Sequence, residues 1–167
     1  TEPPPRETVS VTFPEGSTVQ QFASRLEEAK VCTAAEFVEA ANRIAAEEVA
    51  KESSEIGFFN HLDYDPETFM AAEGYLSANT IDFYTDEENG ADYAAGRLFQ
   101  QLDAGRLAIS ETIYEDIAAR GMSFREFMTL SSLVIEEAGV PPTEEDPGNQ
   151  ALVAGVFWNR MRGDLAY

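Results

Sequence analysis

Positive charge is scarce in this sequence. The 167 residues include 11 Lys+Arg against 31 Asp+Glu, which gives a formal net charge of −20. Affinity for nucleic acid grows with the number of phosphates that Lys and Arg neutralise. No local cluster of basic residues departs from the acidic average. The composition therefore excludes nucleic acid and anionic membrane surfaces as main partners.

Cysteine and long apolar runs are also scarce. The single cysteine, Cys32, excludes an internal disulfide and a multi-cysteine metal site. A lone cysteine at a turn between helices is usually buried, but the sequence does not determine its burial here. No apolar run approaches the roughly 20 residues of a transmembrane helix, so we expect no membrane insertion by this segment. Apolar residues still make up 44% of the chain, which is enough for a folded core.

The first fifty residues are predicted to form a strand followed by two helices. Residues 1–8 contain three consecutive prolines, which are typical of an extended linker. Apolar residues alternate over 9–13 with the two-residue period of a half-buried strand. Two helices follow, each opened by a capping box, namely Thr18 with Gln21 and Thr33 with Glu36.

Helix dominates the rest of the chain. One further strand is predicted over 80–84. The predicted helices cover 66–72, 91–102, 110–121, 124–138 and 150–162. The fold class is therefore α+β, mostly helical with a small sheet.

The helix over 124–138 carries the strongest chemical candidate. It opens at a third capping box, Ser123 with Glu126, and apolar residues cover most of its circumference, as in a buried helix. Glu137 lies four residues after Leu133, on the margin of this apolar surface. Lost solvation there would raise the pKa of Glu137 and keep its carboxyl ready to protonate a glycosidic oxygen. The alternative is an ordinary structural carboxylate near a helix end.

Five short pieces of sequence, in the same order, resemble the endolytic murein transglycosylase family, also called the MltG or YceG-like family. These pieces are Phe-Pro-Glu-Gly-Ser-Thr at 13–18, Glu-Gly-Tyr-Leu at 73–76, Asn-Thr at 79–80, and the helical segments 130–139 and 153–162. The resemblance implies a bacterial enzyme that cuts peptidoglycan strands between N-acetylmuramic acid and N-acetylglucosamine. It leaves 1,6-anhydromuramic ends and needs no cofactor or metal.

The resemblance also implies roles for three residues. Glu137 aligns with the catalytic glutamate of the family, a single general acid and base that makes a second carboxylate unnecessary. Glu73 and Asn159 are implied as substrate-binding residues. The implied location is the extracytoplasmic face of the cell membrane, where an upstream helix anchors the protein. Cell-wall synthesis proteins are further candidate partners.

By the same resemblance, a linker over 1–8 precedes a small α/β (LysM-like) subdomain over 9–50. A connecting region over 51–109 leads to the start of the catalytic domain over 110–167. The family domain continues beyond its Asn-Arg helix, so we expect the chain to be a truncated fragment of it. Ile135 replaces a family glutamate, and Ser-Ala-Asn at 77–79 replaces Phe-Pro-Asp. The alternative function is therefore a cell-wall binding or scaffolding module that does not cleave.

Other chemistries are disfavoured by the residues. His61 is the only histidine, and the sequence contains no nucleophile motif such as Gly-x-Ser-x-Gly, which disfavours Ser-His-Asp and Cys-His catalysis. The acidic runs 63–67 and 86–92 lack the ligand spacing of a calcium-binding EF-hand loop. Two lysines, Lys30 and Lys51, without a glycine-rich phosphate loop disfavour pyridoxal phosphate chemistry.

Overall fold

A computed structural model describes residues 6–62, 70–109, 112–138, 143 and 148–163. The chain divides into two compact units, unit 1 (Thr1–Tyr114) and unit 2 (Glu115–Tyr167). The described residues form mostly helix together with one two-stranded antiparallel sheet. The α+β prediction is confirmed. No described helix has the length and hydropathy needed to cross a membrane.

The sheet of unit 1 joins two strands that are far apart in the sequence. Strand β1 (Thr8–Thr12) pairs antiparallel with strand β2 (Thr80–Tyr84), and Thr8 lies opposite Tyr84. The two-residue period of a strand places Val11, Ile81 and Phe83 on the buried side. Both predicted strands are confirmed to within one residue.

The first two helices begin where the capping boxes predict. Helix α1 (Val19–Glu28) starts at Thr18, and helix α2 (Ala34–Ala50) starts at Thr33. In each box the threonine hydroxyl accepts the third helical N–H, and the Gln or Glu side chain accepts the threonine N–H. These reciprocal bonds satisfy donors that a helix start leaves without partners.

Helix α1 ends in a tight turn with an unusual residue. The N–H of Val31 bonds the carbonyl of Leu26, and the N–H of Lys30 bonds the carbonyl of Glu27, each at 3.0 Å. This pair of bonds is a Schellman motif, in which the turning residue is usually glycine. Here the residue is Lys30, with a φ of 60°.

A 3-10 turn (Gly57–His61) follows α2, and helix α3 (Gly90–Gln101) follows β2. A π turn (Leu102–Arg106) and a short 3-10 turn (Leu107–Ile109) extend α3. The predicted helix over 91–102 is confirmed. Of the helix predicted over 66–72, residues 66–69 lie outside the described part of the chain. The prediction is wrong for the remainder, because residues 71–74 form a turn.

Aromatic rings fill the core of unit 1. Phe13 stacks on Phe22 with 4.5 Å between ring centroids and meets Phe83 edge-on at 6.1 Å. In a second cluster, Phe59 lies 4.2 Å from Phe58 and 5.2 Å from Phe99. These six rings are almost fully buried. Buried aromatic side chains contribute a large apolar area and prefer such offset and edge-on contacts.

The described part of unit 2 is helical. It contains most of helix α4 (Ile113–Ala119), together with helix α5 (Phe124–Ala138) and helix α6 (Gln150–Met161), and α5 packs against α6. Helix α4 ends at Ala119, and Gly121, the glycine predicted to end it, follows in the turn with a φ of 71°. The predicted helix start at Ser110 and the predicted α5 cap at Gly139 lie outside the described residues.

The start of α3 lies against the turn between α1 and α2. A Cβ atom added to Gly90 would lie 2.4 Å from the carbonyl oxygen of Val31. Only glycine leaves room for this approach of two backbones. Gly96 lies in the same helix, and a Cβ added there would meet nothing within 4 Å.

Replacing Gly90 with alanine is expected to lower the free energy of unfolding by about 1–3 kcal/mol, because one of the two backbones must move. The matched substitution Gly96→Ala is expected to raise it by about 0.5–1 kcal/mol, because glycine loses more conformational freedom in a helix. Urea unfolding followed by far-UV circular dichroism measures both. Equal effects of the two substitutions would contradict the close contact with Val31.

Candidate functional site

Glu137 is the next-to-last residue of α5, and local bonds build that helix as the sequence predicts. At the N-terminus, the Ser123 N–H donates to the carboxylate of Glu126 at 2.7 Å, and the Glu126 N–H donates to the Ser123 hydroxyl at 3.1 Å. The hydroxyls of Ser131 and Ser132 donate to backbone carbonyls four residues earlier. Both serines therefore satisfy their polar groups within the helix.

The predicted burial of α5 is wrong. Phe124 and Ala138 are its buried residues, whereas Leu133 and Ile135 are 42% and 40% exposed. The apolar circumference predicted burial on all sides, but among the described residues of unit 2 only part of that surface meets another helix. Glu137 itself is exposed. The lost solvation that was expected for its carboxyl is therefore not found in this structure.

Asn159 lies on α6, the helix that packs against α5. Both Asn159 and Arg160 are exposed, and α6 has no buried residue among those described. Leu152 is 75% exposed, and Val156 is 44% exposed. Glu137 and Asn159 therefore lie on two helices that pack together within unit 2, and both side chains are exposed to solvent.

Glu73 has a structural partner in unit 1. Its Oε2 atom accepts the N–H of Val19 at 3.0 Å, at the first turn of α1. A carboxylate at a helix N-terminus satisfies a free N–H and interacts favourably with the helix dipole. This contact accounts for Glu73 without any ligand. Its role in glycan binding stays a prediction.

The rest of the Glu-Gly-Tyr-Leu segment is fixed by contacts with the core. Tyr75 and Leu76 are buried, and the Tyr75 ring stacks on Phe58 with 5.9 Å between centroids. The Asn42 amide oxygen accepts the N–H of Ala72 at 3.0 Å, which ties the preceding turn to α2. Sequence reasoning missed Asn42, because a polar residue within a helix gives no signal of a distant partner.

An acidic groove lies between α2 and the start of α3, with a volume of about 380 Å³. Arg43 crosses it and contacts Asp92 with an Nη2 to Oδ1 distance of 2.7 Å. The other charged residues lining the groove are Glu36, Glu39, Glu87 and Glu88. Within the described ranges, no group of three or more His, Cys, Asp or Glu residues is arranged to hold a metal ion.

Cys32 lies at the same groove and is half-buried. Burial, reinforced by the negative charges of Glu36 and Glu27, raises the pKa of Cys32 to about 11. Because the thiolate is the reactive form of cysteine, this thiol is a poor nucleophile at neutral pH. The groove therefore offers no activated nucleophile at Cys32.

The contacts of the single histidine, His61, are structural. His61 is exposed, and its ring stacks on that of Tyr114 with 3.8 Å between centroids. Burial, with the nearby charge of Asp103, raises the pKa of Tyr114 to about 12. Asp103 also accepts the N–H groups of Gly57 and Phe58, each at 2.9 Å. These contacts give His61 and Asp103 structural roles in the 3-10 turn.

Comparisons with known proteins agree with the family that the sequence motifs resemble. The model of the YceG-like family matches residues 2–166. A crystal structure of a YceG-like protein from Listeria monocytogenes is similar to this chain, with a TM-score of 0.68 at 18% sequence identity. The similarity covers 94% of this chain and 48% of that one, so the chain spans about half the length of that protein. A search of curated proteins finds no match.

Removing the Glu73 carboxylate is expected to destabilise the fold. Glu73→Ala leaves the Val19 N–H without its acceptor and should lower the free energy of unfolding by about 1 kcal/mol. Glu73→Gln keeps an oxygen acceptor and should cost less than half of that. Urea unfolding of both variants tests the role. No loss of stability in Glu73→Ala would contradict the capping contact.

The raised pKa of Cys32 predicts slow alkylation. The folded chain is expected to react with iodoacetamide about 100-fold more slowly at pH 8 than the urea-unfolded chain, because less thiolate is present. The rate should rise through a midpoint near pH 11. Glu27→Gln removes one negative charge and should shift that midpoint to lower pH. A slow rate with an unshifted midpoint would mean that steric shielding alone protects the thiol.

Proposed function

The chain belongs to the YceG-like family, and on this premise we propose that it carries the catalytic glutamate of an endolytic lytic transglycosylase. The substrate is the glycan strand of peptidoglycan, cut between N-acetylmuramic acid and N-acetylglucosamine. The product strand ends in 1,6-anhydromuramic acid. The same proposal places the protein on the extracytoplasmic face of the bacterial cell membrane.

The family match over residues 2–166 is the observation that most supports this function, because it includes both α5 and α6. Glu137 and Asn159 are exposed on these two packed helices. An enzyme that cuts within a long polymer must admit it from the side. An exposed carboxyl on an open surface is compatible with such a substrate, whereas a closed pocket would admit only chain ends.

In the proposed reaction, one carboxyl performs two proton transfers. The Glu137 carboxylic acid donates its proton to the glycosidic oxygen while the bond from that oxygen to C1 of N-acetylmuramic acid breaks. The resulting carboxylate then accepts the proton of the 6-hydroxyl of the same sugar, whose oxygen forms a new bond to C1. Glu137 ends protonated as it began, and no water is consumed. Asn159 would bind the sugar beside the reacting carbon.

The exposed Leu133 side chain on α5 bears on the first proton transfer. Leu133 lies one helical turn before Glu137, on the same face of the helix. A glycan strand bound over this face would exclude water from both the Leu133 side chain and the carboxyl. Exclusion of water favours the uncharged carboxylic acid, which is the form that the reaction requires.

The second candidate is a cell-wall binding or scaffolding module that does not cleave. Two observations favour it. Glu137 is exposed, and the one charged residue adjacent to it in α5 is another acid, Glu136. Ile135 occupies a position where the resemblance predicts a glutamate. Such a module would bind glycan strands or cell-wall synthesis proteins through the same surfaces. Its glycan binding would not depend on the charge of Glu137.

Glu137→Gln is expected to lower the rate of glycan cleavage by at least about 100-fold, because the amide cannot donate the required proton. The adjacent, equally exposed Glu136 supplies the matched control, and Glu136→Gln should leave the rate unchanged. Mass spectrometry of purified glycan strands measures the 1,6-anhydromuramic ends. Asn159→Ala should raise KM more than it lowers kcat.

Three outcomes separate the candidates. Product from the wild type but not from Glu137→Gln supports the enzyme and its acid together. Equal product from both contradicts the role of Glu137. No product from either, with glycan strands still bound equally by both, supports the module.

A further inference from the structure

Trp158 is the only tryptophan of the chain, and it lies on α6 immediately before Asn159. Its side chain is partly exposed to solvent. The reaction proposed above uses Asn159 and gives this neighbouring aromatic ring no role. Tryptophan is enriched at binding surfaces, because its ring presents a large apolar area together with one polar N–H. The surroundings of the Trp158 ring therefore indicate what it can bind.

One side of the Trp158 ring is occupied by a cation. The guanidinium carbon of Arg162 lies over the ring, 5.7 Å from its centroid. The end of α6 sets this position, since the Arg162 N–H donates to the carbonyl of Trp158 at 3.2 Å and Gly163, with a φ of 71°, turns the chain out of the helix. Helical side chains lean toward the N-terminus, so Arg162 reaches back one turn to the ring.

The N-terminal side of the same ring faces residues with little or no side chain. Trp158 leans by the same rule toward Ala154 and Gly155, which are both partly exposed. A Cβ atom added to Gly155 would meet no atom of the described residues within 4 Å, and this includes the Trp158 side chain. An open space that solvent reaches therefore lies between Gly155 and the ring.

This surface fits a flat, uncharged ligand that is rich in C–H groups. The face of an aromatic ring is electron-rich and attracts positively polarised groups of a partner. A β-linked N-acetylglucosamine ring carries its hydroxyl and acetamido substituents equatorially, so its two faces present axial C–H bonds. Such a ring can stack on the indole while its polar substituents stay in water. Stacking needs one accessible face rather than a closed pocket, and the net charge of −20 does not repel an uncharged sugar.

We propose that Trp158 is a stacking platform for an N-acetylglucosamine ring of the glycan strand. The choice of this ligand rests on the proposed function. The other sugar of the strand carries the lactyl group to which the stem peptide is attached, so N-acetylglucosamine has the less hindered faces. Asn159 projects about 100° further around α6, so a strand that stacks on Trp158 can also reach Asn159.

Trp158 reports on its own occupation, because no other tryptophan contributes to the fluorescence of the chain. Emission of the whole chain is recorded while tetra-N-acetylchitotetraose, a peptide-free oligomer of β-linked N-acetylglucosamine, is added. We expect a saturable shift of the emission to shorter wavelength and weaker quenching by acrylamide, since the sugar replaces water at the ring. No saturable change overturns the proposal. An equal change with maltotetraose, whose α-linked glucose rings form a curved chain, also overturns it.

Substitutions at Gly155 test the open space without altering Trp158. Gly155→Leu fills the space beside the ring and should weaken binding of chitotetraose about 10-fold, the effect expected when one aromatic stacking contact is lost. Gly155→Ala adds only a methyl group where there is room, and it should bind as the wild type does. Gly96→Leu, at a helical glycine of unit 1 with equally open surroundings, is the matched control and should leave binding unchanged. Isothermal titration calorimetry measures the affinities.

Trp158→Ala removes the ring itself and should weaken binding by at least as much as Gly155→Leu. Far-UV circular dichroism shows whether each variant is folded. Wild-type affinity for chitotetraose in either folded variant overturns the proposal. If neither variant folds, the fluorescence titration of the wild type decides alone.

Failure here is distinct from failure of the proposed function. Glycan cleavage that depends on Glu137, without a response of Trp158 to chitotetraose, removes only this inference. Stacking at Trp158 in a chain that does not cleave glycan strands removes only the enzyme.

Discussion

The contact of Phe13 with Phe22 and Phe83 is the interaction on which the rest of unit 1 depends. Phe13 follows β1, Phe22 belongs to α1 and Phe83 to β2, so three rings connect three elements. Without this contact, a two-stranded sheet has little stability of its own in water. With it, the sheet covers one side of an aromatic core, and β2 leads into α3.

Several acidic side chains accept hydrogen bonds from the backbone at the ends of helices and turns. Carboxylates satisfy backbone N–H groups at the starts of helices and turns, as Glu73 does at Val19 and Asp103 does at Gly57. Glu27 likewise accepts the N–H of Ala34 at 3.1 Å, at the start of α2. Backbone donors at element ends require acceptors, and an acidic chain supplies them in abundance. Other carboxylates form ion pairs with arginines, as Asp86 does with Arg6 and Asp92 does with Arg43.

Local signals predicted the fold well, and contacts between distant residues escaped them. A capping box involves residues three positions apart, so Thr18, Thr33 and Ser123 were identified from sequence. The pairing of β1 with β2 was not, because alternation identifies a strand and not its partner. The helical wheel of α5 likewise described one helix and not its neighbours, so it predicted burial where Leu133 and Ile135 are exposed. Of the candidate site, the sequence identified Glu137 and Asn159, whereas the bond from the Ala72 N–H to Asn42 became known only from the fold.

The pairing of β1 with β2 also sets an order of events during synthesis. Thr12 and Thr80, which face each other in the sheet, are separated by 68 positions in the chain. At about 5–20 residues per second on the ribosome, the second strand follows the first by about 3–14 seconds. In that interval Phe13 can already contact Phe22, nine residues later, while β1 has no strand beside it. Helices α1 and α2 are therefore synthesised completely before β2 exists, and β1 can pair only after that interval.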